Sequence, residues 1–150
     1  MVMDKRNLHL RLQEYCDCYM ETDFKKELEA VSRMGTSADA IGDPDEVALK
    51  FVGLAILYGL EESAKKISLA RSDGGEVQLN VEAAGKYKLP APSAALADRI
   101  FQVMRSITHV ESEKGAIPLA LGLRNDRLEF GVALDSRGGR ETLDISFPAI

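Results

Sequence analysis

The chain has no tryptophan and only 6% aromatic residues, too few to build a stacking platform for nucleic-acid bases. Positive charge is also short. Nineteen Lys and Arg stand against 24 Asp and Glu, for a net charge of −5. A non-specific nucleic-acid binder needs a basic footprint to neutralise phosphates, so that class is set aside. There are two cysteines, Cys16 and Cys18. Two residues apart on a helix they cannot reach each other for a disulfide, and two unpaired thiols fit a reducing compartment. The longest apolar run covers residues 51–60. That is well short of the roughly 20 residues of a membrane helix. Residues 1–12 carry Asp4, Lys5, Arg6, His9 and Arg11 in place of an apolar core, so no signal peptide is expected and the expected location is cytoplasmic.

What is present is the balance of a globular domain: 150 residues, 45% hydrophobic and 29% charged. A chain of this size can bury enough apolar surface to fold without disulfides or metal. Leu8, Leu12, Tyr15 and Tyr19 recur at helical spacing. Phe24, Leu28 and Val31 form a second stripe out of phase with the first. Thr22 and Asp23, both good N-caps, mark the break between them. Residues 35–42 are small and polar and read as a loop. This loop separates an N-terminal helical extension, residues 1–42, from the main domain, residues 43–150.

The main domain opens with Asp43-Pro44-Asp45-Glu46. Asp43 suits a cap, Pro44 the first helical position, and Glu46 the far end of a capping box. Val47, Phe51, Leu54, Ala55 and Tyr58 lie on one face of the helix that follows. Val52, Ile56, Leu57 and Leu60 extend the apolar surface nearly all round, so the helix is expected to be buried. Gly53 and Gly59 interrupt it where another backbone can come close. From Lys66 the period becomes two. Ile67 and Leu69, then Val77, Leu79 and Val81, alternate with polar residues on either side of Asp73-Gly74-Gly75, which predicts a hairpin ending at Gly85. Residues 89–92 read as a proline-bracketed linker. Ser93 caps a helix whose apolar face is Leu96, Ile100, Val103, Met104 and Ile107. Residues 111–115 read as a polar loop. Three alternating runs close the chain, over 117–123, 128–134 and 142–147. Asn125-Asp126 and Ser136-Arg137-Gly138-Gly139 separate them. The expected class is α+β, with helices packed on an antiparallel sheet in the order α(α)-α-ββ-α-βββ.

The residues Ser63-Ala64-Lys65-Lys66-Ile67-Ser68-Leu69, the glycine turn, the strand to Gly85 and the helix containing Arg99-Ile100 resemble the N-terminal, non-ATPase domain of type II secretion and type IV pilus assembly ATPases. Ala64, Ile67, Gly85, Arg99 and Ile100 match that family's pattern, and Gly139 fits its last turn. The resemblance covers roughly residues 43–147 and implies a PAS-like α+β sandwich. The family's arginines, implied to reach nucleotide on a neighbouring ATPase domain, fall on Asn80 and Glu82 and near Gly131, and its Asp falls on Ala84. Neither Asn nor Glu can give the bidentate fork that clamps phosphate, and Glu repels it. No G-x-x-x-x-G-K-[ST] occurs in the chain. The resemblance therefore implies the interaction role of such a domain, degenerate and without the ATPase, and no nucleotide-binding residue.

Other candidate chemistry reads more simply as structure. Cys16, Cys18 and His9 cannot form one metal site, because helical residues two apart point about 200° from each other. His109 with Glu111 and Glu113 suits a helix C-terminus, and no nucleophile accompanies it. Ser63, Ser68 and Ser93 lack a nucleophile elbow. Asp43, Asp45 and Glu46 read as helix-start residues, and with Glu61 and Glu62 they lack the spacing of a calcium loop. The pairs Lys25-Lys26 and Lys65-Lys66 read as solvated surface, and Tyr15, Tyr19, Phe51 and Tyr58 as core or interface. No catalytic, cofactor-binding or metal-binding residue is assigned. The expectation is a non-enzymatic protein-interaction domain with a protein partner or a second copy of itself. The alternative is a PAS-like sensor holding a small ligand between sheet and helices, with Gln78 or Asn80 supplying polarity if they turn inward.

Overall fold

A computed structural model describes residues 6–34, 44–89, 91–108, 110, 114–123 and 126–148. Helices α1 (Arg6–Tyr19), α2 (Phe24–Met34) and α3 (Pro44–Glu61) lead into strands β1 (Lys66–Arg71), β2 (Val77–Glu82) and β3 (Lys86–Leu89). Helix α4 (Ala94–Thr108) then crosses to β4 (Lys114–Leu123), β5 (Asp126–Arg137) and β6 (Arg140–Ser146). The strands form one antiparallel sheet in the order β3-β2-β1-β6-β5-β4. The molecule is thus two three-strand meanders whose ends meet along β1 and β6, with Ile67 opposite Ile145 and Leu69 opposite Leu143. No helix among the described residues is long and apolar enough to cross a membrane.

The α+β class is as the periodicity implies. The strand count differs by one. Residues 86–88, which fall between the expected hairpin ending at Gly85 and the expected linker, form with Leu89 the edge strand β3, with Val81 opposite Tyr87 and Leu79 opposite Leu89. Four residues with two lysines leave little period to read. Their inward side chains, Tyr87 and Leu89, are what tie them down. Strand β4 also starts earlier than expected, at Lys114, within the stretch read as a polar loop.

The helix boundaries follow local chemistry. The amide of Lys26 donates to Asp23 Oδ1 at 3.1 Å and that of Leu96 to Ser93 Oγ at 3.1 Å, so Asp23 caps α2 and Ser93 caps α4. Thr22 serves the other side of the break, donating its hydroxyl to the Tyr19 carbonyl at 2.7 Å. Helix α3 ends with Ser63 in the left-handed region at φ 55°. Around it Ala64 N–H reaches Gly59 O at 2.8 Å and Ser63 N–H reaches Leu60 O at 3.3 Å, the paired bonds of a Schellman end. Gly138 and Gly139, at φ 58° and 84°, make the two-residue turn between β5 and β6.

The core lies on one side of the sheet. Every residue from Phe51 to Leu60 is buried, as expected of a helix apolar all round. Leu12 and Cys16 of α1, Leu28 of α2, Ile100 and Met104 of α4, and Phe130 of β5 join the same cluster. Helices α1 and α2 both pack on α3, and α3 and α4 on the sheet. Gly53 admits α1, since a Cβ there would stand 3.4 Å from Tyr15 Cβ and 3.6 Å from Cys16 N.

Candidate functional site: the uncovered sheet face

Side chains alternate across a strand, so the register sorts the sheet into two faces. Ile67, Leu69, Leu79, Val81, Phe130, Val132, Leu143 and Ile145 point to the helices and are buried. Among the described residues no helix meets the other face. Its central row runs Lys88, Asn80, Ser68, Asp144, Ala133, Ala116 from β3 to β4. The row beside it runs Lys86, Glu82, Lys66, Ser146, Gly131, Pro118. None of these twelve residues is buried. The rows divide the face into halves. Over β3, β2 and β1 the side chains are polar, and three of the six are lysines. Over β5 and β4 they are Ala, Gly and Pro, and the sheet surface is nearly flat.

The depressions described on the molecule fall on this face. One of about 270 Å³ is lined by Lys66, Ser68, Asn80, Glu82, Lys86 and Lys88. Another of about 370 Å³ lies over Ala116, Pro118, Gly131 and Ala133, and a third of about 480 Å³ between Lys114, Asp135 and Asp144. All are open troughs. The space between sheet and helices is occupied by side chains such as Phe101, Phe130, Leu54 and Met104, each at most 1% exposed. Gln78 and Asn80 turn away from it, onto the uncovered face.

The two edges of the sheet are guarded. On β4 the side-chain amide of Gln13 donates to Gly122 O at 2.7 Å and accepts from Gly122 N–H at 2.8 Å, so α1 takes both outward backbone groups at that position. Pro118 sits on the same strand, four residues away in the same orientation, and has no N–H to offer. On the other edge β3 is four residues long and carries Lys86 and Lys88. Short, lysine-bearing and proline-bearing edges resist pairing with another strand.

One ionic cluster fastens α1. Glu46, in the first turn of α3, accepts a bidentate pair from Arg11 and a hydrogen bond from Tyr15 Oη at 2.8 Å. Burial raises the Glu46 carboxyl, but the Arg11 and Tyr15 hydrogen bonds and the Arg11 charge outweigh it and hold it below the usual carboxylate range. Burial, then the bond to Glu46, push the Tyr15 hydroxyl up to about 12. The Glu46 side chain thus joins α3 to α1; Asp43, its expected partner in a capping box, lies outside the described residues. Asp45 pairs with Arg99 of α4 at 3.4 Å. Arg71 Nε and Asp98 Oδ1 are 3.0 Å apart in an ion pair too bent to count as a hydrogen bond, and it ties β1 to α4.

The remaining sequence candidates are dispersed. Cys16 is buried and Cys18 exposed, on different sides of α1. Burial, then the Asp17 charge, raise the Cys16 thiol to about 12. Lys25, Lys26, Lys65, Glu61 and Glu62 are exposed at separate places. Tyr15 and Tyr19 stack at 6.4 Å, and Tyr58 Oη meets Tyr87 Oη at 2.6 Å beneath β3. Ser68 and Lys66 lie on the uncovered face, Ser63 and Ser93 at helix ends. His109, Glu111 and Glu113, and the side chain of His9, lie outside the described residues. No group of three or more His, Cys, Asp or Glu among the described residues is placed to hold a metal. Of the residues in the secretion-ATPase pattern, Ala64 and Ile67 are core, Gly85 lies between β2 and β3, and Asn80, Glu82 and Gly131 share the uncovered face. Comparison with known proteins finds no matching family model and no matching curated protein.

The sequence reading missed the flat half of this face. Its signal is in the strands themselves: the positions between Ile117, Leu119, Leu121 and Leu123, where charge is usual, hold Pro118, Ala120 and Gly122.

Proposed function

We propose that this chain is a non-enzymatic protein-interaction module, akin to the N-terminal domain of secretion and pilus ATPases and without nucleotide hydrolysis. The observation that supports the reading most is the one-sided sheet. Three strands of β4–β6 and three of β1–β3 make, at about 4.8 Å between strands and 3.4 Å per residue, a surface of roughly 700 Å² that no element of the described chain covers. Its flat half offers close backbone approach, and its other half offers charge. Both suit a broad protein surface better than a small molecule, which is bound in concave sites.

The test is retention of proteins from the native cell on the immobilised full chain and on its Ala133→Arg variant. The reading expects a defined protein, this chain included, held by the first and lost by the second. Hydrolysis of ATP, or nucleotide bound at micromolar concentration, contradicts it.

A further inference from the structure

We infer that the uncovered face binds a second copy of this chain, face to face, about a two-fold axis parallel to the strands and between β1 and β6. The inference deepens the interaction reading and rests on it.

The sheet order makes this symmetry special. A two-fold axis along the strands reverses the strand order and keeps the rows in place. It therefore lays β3 of one copy over β4 of the other, and β2 over β5. Lys88 then faces the second copy's Ala116, and Lys86 its Pro118. Asn80 faces Ala133, and Glu82 faces Gly131. Each long side chain meets a short one, so two surfaces that are each uneven close into one layer. Lysine stems lie along apolar surface while their ammonium heads run on past it. An axis across the strands does the opposite: it sets β3 on β3, with lysine against lysine, and leaves the two flat halves facing each other.

Charge adds a contact at the rim and another near the axis. The position after Ala133 on the open face of β5 is Asp135, and the position after Gly131 is Glu129. Glu129 lies one strand and one row from the second copy's Pro118, so the Lys86 head that passes Pro118 runs toward that carboxylate. Near the axis, Lys66 faces the second copy's Ser146 and Ser68 faces its Asp144, which puts the Lys66 ammonium one row from that carboxylate. The contact is self-complementary, as an isologous interface must be. Two sheets packed face to face stay within about 30° of alignment, so β1 and β6 beside the axis keep their partners while the outer strands stay over the same strand of the second copy. The face offers roughly 700 Å² per copy, close to the about 800 Å² per partner of a standard stable interface. Edge-to-edge association is the route the molecule closes, through Gln13 and Pro118 on one side and the short lysine strand on the other.

Sedimentation velocity of the full chain tests this. The wild type is expected to sediment as a dimer at about 100 μM, and Ala116→Arg and Ala133→Arg to weaken association by about ten-fold or more with an unchanged circular dichroism spectrum. Ala116 is exposed, so its variant keeps the test valid if Ala133→Arg does not fold. Lys86→Glu is expected to weaken the dimer, and Lys86→Glu combined with Glu129→Lys to restore it. A monomeric wild type, a dimer indifferent to Ala116→Arg, or a swap that restores nothing overturns the inference. A monomer that retains a different protein through this face overturns the second copy alone. A monomer that retains nothing overturns the interaction reading as well.

Discussion

The ring of Phe147 lies across Gly59 so closely that a Cβ at position 59 would stand 2.1 Å from its Cζ. Phe147 extends the central strand pair, its N–H donating to Lys65 O at 2.9 Å, and it packs edge-on against Phe130 with ring centres 5.5 Å apart. Glycine at 59 thus lets the buried helix and the end of β6 share one space. Gly59→Ala gains helix propensity but must displace the ring. We expect a net loss of about 1–2 kcal/mol in urea unfolding. Adding Phe147→Ala should cost less in the Gly59→Ala background than in the wild type, a non-additivity that a double-mutant cycle measures.

The thiols should separate cleanly. With its pKa raised to about 12 and no exposed surface, Cys16 is a poor nucleophile in the native state. A thiol reagent at neutral pH should label Cys18 alone, and label Cys16 only on unfolding. Labelling of both at one rate would contradict the packing of α1 on Gly53.

Acid should loosen α1. The Glu46 carboxyl titrates below its ordinary value of 4.5, so its contribution is complete above that value and lost as pH falls through the lower native one. Unfolding free energy should decline with acid in that window, and Glu46→Gln should remove that part of the slope. Tyr15 acts at the other extreme. Its hydroxyl is raised from 10.0 to about 12, so its contribution holds below pH 10 and is lost as pH rises between the two. Far-UV circular dichroism during denaturant titrations at several pH values reads both.

Much of this architecture is written in local periodicity. The buried stretch around Phe51, the alternation of Ile67 and Leu69, and the caps Asp23 and Ser93 each declare themselves within a few residues. The break between Tyr19 and Phe24 does so too. Strand β3 does not, because Lys86-Tyr87-Lys88-Leu89 is held by Val81 and Leu79 across the sheet rather than by its own pattern. The links Arg11–Glu46 and Gln13–Gly122 join residues 35 and 109 positions apart, which no period can reveal. The uncovered face lay between these cases. Its alternating residues are readable, but which rows adjoin follows only once β1 is known to pair with β6.

Gln13 should matter for solubility more than for stability. Its two bonds to Gly122 are solvent-exposed, and Gln13→Ala should cost about 1 kcal/mol. The same change frees the outward backbone groups of Gly122 on an edge strand. Light scattering on prolonged incubation should rise in Gln13→Ala, and rise further when Pro118→Val restores an edge N–H. No increase in either variant would show that the β4 edge needs no guard.

The central claim is that one face of the sheet, which no element of the described residues covers, is covered on association. The direct measurement is the rate at which a thiol reagent modifies Ala133→Cys in a Cys18→Ser background. The account predicts a rate in dilute solution close to that of Cys18 in the wild type, falling as protein concentration is raised. A thiol at position 133 that reacts as slowly as Cys16 at every dilution, or that reacts rapidly at every concentration, would contradict it.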